Sequence, residues 1–205
     1  MVEPICHVID RSAESILDVG CGQGYPMRLI RHIMKPKRVV GVDLFKKYIV
    51  EAKEEGLHDD YVFCDVRKMK FKPRSFDVVI ASQIIEHLPK KDTNKFIKDL
   101  ERIAKKQVII ATPTGEMYHP AVDGNKLQLH KSFFYPEDFE RLGYKVVKYG
   151  RKSVFGDNGI VHKINVDIIR KLIFFSNVII SPLYYMYQPF ADYYFVAYKD
   201  VKRRK

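Results

Sequence analysis

The sequence predicts an α/β fold: a doubly wound, seven-stranded, mostly parallel sheet with helices on both faces. The last strand is expected to run antiparallel, with a helical insertion before it. Two patterns carry this reading. Short apolar runs alternate with amphipathic segments through the first half of the chain, and the first run ends in the glycine-rich turn Gly20-Cys21-Gly22-Gln23-Gly24. Strands that alternate with helices at this pace imply parallel β-α units covered on both sides. At 205 residues and 46% hydrophobic side chains, the chain has the length and material for one substantial core.

The elements follow in order. Ile16 to Val19 reads as a short buried strand, and Met27, Leu29, Ile30, Ile33 and Met34 recur at helical spacing over Pro26 to Met34. Arg38 to Leu44 is a second strand. Tyr48 to Glu55 is a helix stopped by Gly56. Tyr61 to Cys64 and Phe76 to Ala81 are the third and fourth strands. Asn94 to Ala104 is a helix with Phe96, Ile97, Leu100 and Ile103 on one face, and Gln107 to Ala111 is the fifth strand. The polar stretch Thr112 to Lys131 is too long for an ordinary connection and reads as an active-site loop. Pro136 to Leu142 is a short helix, and Tyr144 to Tyr149 and Asp192 to Tyr198 close the sheet. Residues 1–205 are read as a single domain in which 151–191 form an insertion or lid. The residues before the glycine loop suffice for one short helix.

Composition narrows the setting. Cys6, Cys21 and Cys64 are too few and too scattered for a disulfide framework or a cysteine zinc site, so no metal is expected. The start, MVEPICHVIDR, has acids and no apolar core, so a signal peptide is not expected and a reducing, cytoplasmic setting is. The net charge of +11 is uneven: residues 1–102 carry +3 and residues 103–205 carry +8. Such a balance suits a polyanionic partner or a solvated lysine-rich surface.

A strand running into a glycine-rich turn and then a helix brings backbone N–H groups close to a ligand. The ligand class is left open among a dinucleotide, a nucleoside triphosphate and another nucleoside cofactor. The dinucleotide fingerprint lacks its third glycine, since Tyr25 or Met27 stands there, and the P-loop's Gly-Lys-Ser/Thr is absent. Acids complete the pattern. Asp43 ends the second strand 19 residues after Gly24, where a carboxylate can accept from both ribose hydroxyls. Asp65 ends the third strand, within reach of an adenine amino group across the same edge, and Asp18 stands near the end of the first.

With these residues in place, the chain resembles the class I S-adenosylmethionine-dependent methyltransferases, of the type 11 kind, from Ile16 to Ala111 and again from His130 to Tyr149. The resemblance implies a Rossmann-like fold and S-adenosylmethionine as cofactor. It implies that Asp18 and the loop residues Gly20, Cys21, Gly22, Gln23 and Gly24 hold the methionine part. Asp43 would take the ribose hydroxyls with Leu44 against the adenine, Asp65 and the Val66 backbone would read the adenine edge, and Ser82 and Gln83 would border the sulfonium.

The acceptor is less legible. Ser82-Gln83-Ile84-Ile85 departs from the Asp/Asn-Pro-Pro-aromatic motif of amino-methylating nucleic-acid enzymes, and no cysteine follows a proline as in cytosine-C5 enzymes. Methyl transfer is mostly in-line positioning, with a base only where the acceptor carries a proton. Candidate bases are His119 and His130, with Glu116 and Tyr118 beside them, and His87 is a further catalytic candidate placed to approach the methyl acceptor. His87 has a second reading, as a cap on the following helix. Residues 172–191 carry no charge, yet Pro182 and Pro189 interrupt them, so a membrane span is not expected. Core packing, an aromatic lid and a peripheral membrane contact through residues 166–190 are the open readings. A small-molecule acceptor, lipid- or sugar-linked ones included, is expected. The run Arg67, Lys68, Lys70, Lys72, Arg74 keeps RNA as an alternative, and a non-catalytic binding protein of the same fold is the other.

Overall fold

The computed structural model describes residues 3–117, 121, 124–150 and 192–201. The expected insertion 151–191 and His119 lie outside them. One seven-stranded sheet organises the rest, in the order β3-β2-β1-β4-β5-β7-β6. Its strands are β1 (Ser15–Val19), β2 (Arg38–Asp43), β3 (Asp60–Phe63), β4 (Phe76–Ser82), β5 (Ala104–Pro113), β6 (Lys145–Tyr149) and β7 (Tyr194–Asp200). The first five pair in parallel, and β7 runs antiparallel between β5 and β6, as the sequence predicts.

The helices are α1 (Glu3–Val8), α2 (Tyr25–Ile33), α3 (Lys46–Glu54), α4 (Lys90–Ile103) and α5 (Pro136–Glu140). Parallel strands buried on both faces read as unbroken apolar runs, and alternate residues of one run serve opposite layers. Leu17, Val19, Val40, Val42, Val79 and Ile110 pack with Phe96, Ile97, Leu100 and Ile103 of α4. On the other face Ile16, Val39, Ile80 and Ile109 meet Ile5 of α1 and Met27 and Ile30 of α2. Buried polar side chains fix the non-carboxyl edge. Asp77 Oδ2 accepts from the Glu14 and Ser15 N–H groups, and the Gln107 amide holds Asp10 N–H and the Val8 carbonyl.

Boundaries shift where local pattern meets tertiary pairing. Helix α4 starts four residues before the expected Asn94, because its first turn, Lys90 to Thr93, is polar throughout and offers no apolar periodicity, although Thr93 is buried. Pro89 precedes it as the N-cap residue and makes no side-chain cap bond. Strand β5 begins at Ala104 rather than Gln107, extended at its end by pairing with Phe76 of β4. Helix α5 ends at Glu140, two residues before the expected Leu142. Among the described residues no helix is long and apolar enough to cross a membrane.

Candidate functional site

The carboxyl ends of β1, β2 and β4 converge on the glycine loop. Gly20 and Cys21 both donate to the Val42 carbonyl, at 2.7 and 3.0 Å, so the loop is stitched to the end of β2. Gly20 holds φ +71°, and a Cβ there would stand 2.7 Å from the Ile84 side chain, so the turn after β4 packs directly on the loop. Gly22, at φ +50°, differs: a Cβ would meet nothing within 4 Å. Its N–H donates to Asp43 Oδ2 at 2.9 Å, and Phe45 N–H donates to Oδ1 at 2.8 Å. Each carboxylate oxygen keeps a second lone pair, which suits a pair of ribose hydroxyls. Burial raises the Asp43 carboxyl above the usual aspartate range, against the pull of those backbone donors.

Asp18 lies deeper than a strand-end acid would. It is wholly buried, its Oδ2 stands 2.9 Å from His58 Nε2, and its Oδ1 has no partner among the described residues. His58 Nδ1 is 3.2 Å from the Tyr61 hydroxyl, which donates to the Ala52 carbonyl at 2.6 Å. Burial pushes that hydroxyl up to about 12, so it stays a donor at neutral pH. Room for this group comes from Gly41, opposite Asp18 in β2: a Cβ there would stand 2.9 Å from Cys21 Sγ and 3.1 Å from His58 Cδ2. The sequence reading missed His58, since a lone histidine after Gly56 has no periodic signal.

The other expected residues fall into place unevenly. Leu44 is partly exposed beside Asp43, and Val66 is buried just past β3. Ser82 ends β4, while Gln83 takes φ +54°, a left-handed turn unusual for a residue with a side chain. Its Nε2 is buried without a partner among the described residues. Cys21 turns its thiol inward, where burial pushes it far up, so its side chain does not line the crevice. The Gln23 amide donates to Glu51 on α3 at 2.6 Å. Asp65 is already engaged: its carboxylate accepts from the Arg67 guanidinium at 2.6–3.2 Å and from Arg67 N–H. These bonds hold it below the usual range. An adenine amino group would share that carboxylate with Arg67.

His87 and His130 are brought together, ring centroids 5.0 Å apart, beside Glu86. Glu86 is buried, and burial pushes its carboxyl up to about 7. The sequence reading singled out His87 but not the acid before it.

The crevice fits an adenosyl cofactor with a cationic centre. A glycine whose Cβ position is open, an acid placed for two hydroxyls, and an orphaned buried oxygen on Asp18 suited to an ammonium are the features that fit. Comparison with known proteins agrees. Residues 17–112 match the methyltransferase domain family. A probable S-adenosylmethionine-dependent methyltransferase of Mycobacterium tuberculosis is 25% identical over 114 residues, 55% of this chain and 40% of that protein. The ubiquinone biosynthesis O-methyltransferase of Bartonella bacilliformis is 28% identical over 168 residues, 68% of this chain and 65% of the relative. The chain thus spans less than two thirds of these relatives' lengths. In fold it is similar to the magnesium protoporphyrin IX methyltransferase of Synechocystis, solved with bound S-adenosylmethionine. The TM-score is 0.56 at 15% identity, over 98% of this chain and 76% of that one. By its fold, its glycine loop and the match over residues 17–112, just under half of its length, the chain is similar to the class I S-adenosylmethionine-dependent methyltransferases.

Proposed function

We propose that this protein transfers a methyl group from S-adenosylmethionine to a small-molecule acceptor, lipid- or sugar-linked acceptors included. The observation that carries the cofactor half is the pairing of Gly22 N–H with Asp43 at the mouth of an open glycine loop. Bound there, the cofactor supplies an electrophilic methyl on its sulfonium. The chain's own work is positioning: Asp43 for the ribose hydroxyls, Asp18 with the loop for the methionine end, and Ser82 and Gln83 beside the reacting carbon. Support for a small acceptor comes from the relatives, one of which is named for ubiquinone biosynthesis. In this reading residues 112–135 and the insertion 151–191 select the acceptor, and residues 166–190 cover it or rest on a membrane surface.

The RNA alternative draws on the basic run from Arg67 to Arg74. Two of its members are spent within the chain: Arg67 pairs with Asp65 and Asp92, and Arg74 donates to the Lys105 carbonyl. The test is transfer of a labelled methyl group to separate pools of phenolic and carboxylate small molecules, glycolipids and bulk RNA. Label in a small-molecule or glycolipid pool, abolished by Asp43→Ala, is the expected result. Label confined to RNA and steeply weakened by salt would replace this reading with the alternative.

A further inference from the structure

Glu86 and His87 end a single 3-10 turn, Ile85–His87, that follows β4 within three residues of its end. His130 comes from the far side of the loop after β5. The backbone clamps the two together: Lys131 and Ser132 N–H groups donate to the Glu86 carbonyl at 2.8 and 3.0 Å, and Ser132 Oγ donates to the Leu88 carbonyl at 2.6 Å. The same loop is fixed further along, where Gly115 N–H donates to the Phe134 carbonyl at 2.7 Å. One potential ligand atom from each of Glu86, His87 and His130 then lies within 4.8 Å of the other two.

The individual groups suit a cation. Glu86 is 2% exposed, its Oε2 accepts from Thr112 Oγ1 at 3.0 Å, and its buried Oε1 has no partner among the described residues. A carboxylate held so deep with only neutral donors, the Thr112 hydroxyl and its own backbone N–H, is poorly compensated, and a metal ion is one of the partners that make such burial tolerable. The histidines have matching orientations. His130 Nδ1 is 2.7 Å from the Met117 carbonyl, and His87 Nδ1 is 3.4 Å from the Leu129 carbonyl. A carbonyl only accepts, so in these contacts Nδ1 carries the proton and Nε2 the lone pair. Metal-ligating histidines are held in this way, with the other ring nitrogen donating to a carbonyl.

We propose that Glu86, His87 and His130 form a binding site for a divalent transition cation of the zinc or manganese class. Two imidazoles and one carboxylate favour such ions over magnesium or calcium, which prefer all-oxygen shells. Three protein ligands leave at least one coordination position for water or an oxygen of a bound molecule. Ligand atoms around a metal at about 2.1 Å stand roughly 3–4 Å apart, so the cluster contracts by about 1 Å on binding. The site was not legible in the sequence because His130 reaches the Glu86-His87 pair only by closure of the loop after β5.

The test separates cation binding from methyl transfer. The full chain, stripped with a chelator, is titrated calorimetrically with Zn²⁺, Mn²⁺ and Mg²⁺ in turn. One Zn²⁺ or Mn²⁺ per chain is expected, with Mg²⁺ weaker. Glu86→Gln and His130→Ala should each weaken that binding at least tenfold, while His32→Ala, on the exposed end of α2, leaves it unchanged. Thermal stabilisation by S-adenosylmethionine, retained in both variants, shows that they are folded and leaves the cofactor reading intact. His130→Ala, on a surface loop, serves if Glu86→Gln fails to fold. No Zn²⁺ or Mn²⁺ binding, binding that survives both substitutions, or a preference for Mg²⁺ would each overturn the proposal.

Discussion

His58→Leu gives the sharpest test of how the glycine loop is supported. The Asp18 and His58 side chains are 1% and 0% exposed and meet at 2.9 Å. Asp18 Oδ1 already lacks a partner among the described residues, so the substitution leaves a buried carboxylate with neither oxygen bonded. Breaking a buried pair by removing one member costs about 3–5 kcal/mol. For a chain of this size each kcal/mol moves Tm by about 2–4 °C, so a fall of roughly 6–20 °C is expected. Asp18→Asn keeps the shape and a bond to the imidazole, so its cost should be about 1–2 kcal/mol. In the Asp18→Asn background, His58→Leu should hurt less, giving a coupling energy of about 1–3 kcal/mol in the double-mutant cycle. Urea unfolding of the four proteins, read by circular dichroism, measures each corner. A His58→Leu protein within about 1 kcal/mol of the parent, or a coupling near zero, would refute the reasoning.

Three further outcomes follow from the same geometry. Gly41→Ala drives a Cβ to 2.9 Å from Cys21 Sγ and 3.1 Å from His58 in a packed layer, and should cost about 1–3 kcal/mol in chemical unfolding. Phe96→Ala, which removes a buried ring from the α4 face, should cost about 3–5 kcal/mol by the same measurement. Asp43 carries a pH signature. Burial raises its folded carboxyl above the unfolded value, so its unfavourable contribution to stability is present above that folded value and is relieved as pH falls through it. Cofactor affinity runs the opposite way: protonation removes the acceptor for the ribose, so binding should weaken on acidification from above the usual aspartate range. Calorimetric titration across pH checks this, and Asp43→Asn should bind weakly at every pH with that dependence gone.

Much of the fold was legible because parallel strands buried on both faces write themselves as apolar runs. Ile16 to Val19 and Phe76 to Ala81 each lie within a residue of the observed strand limits. Glycine and acid spacing anticipated that Asp43 ends β2 beside the glycine loop, where its carboxylate meets Gly22 N–H. What escaped depended on partners distant in sequence. Strand β5 reaches back to Ala104 through its pairing with Phe76 rather than by composition. Asp65 belongs to Arg67 as much as to a ligand, and no spacing rule foretells an exposed guanidinium folding back two residues. His58 reads as a loop residue until β1 and β2 bring it against Asp18. Glu86 passed unnoticed for a related reason: only Thr112, 26 residues on, and the loop beyond it make that acid a buried one.

The central claim is that the crevice holds an adenosyl cofactor, and thermal unfolding with added S-adenosylmethionine, S-adenosylhomocysteine or NAD tests it most directly. A ligand at 100 times its Kd stabilises by about 2.7 kcal/mol, a shift of roughly 5–11 °C at this size. The account predicts that shift with both adenosyl sulfur compounds, its loss in Asp43→Ala, and no shift with NAD. A shift with NAD alone, or none with saturating S-adenosylmethionine, would contradict it.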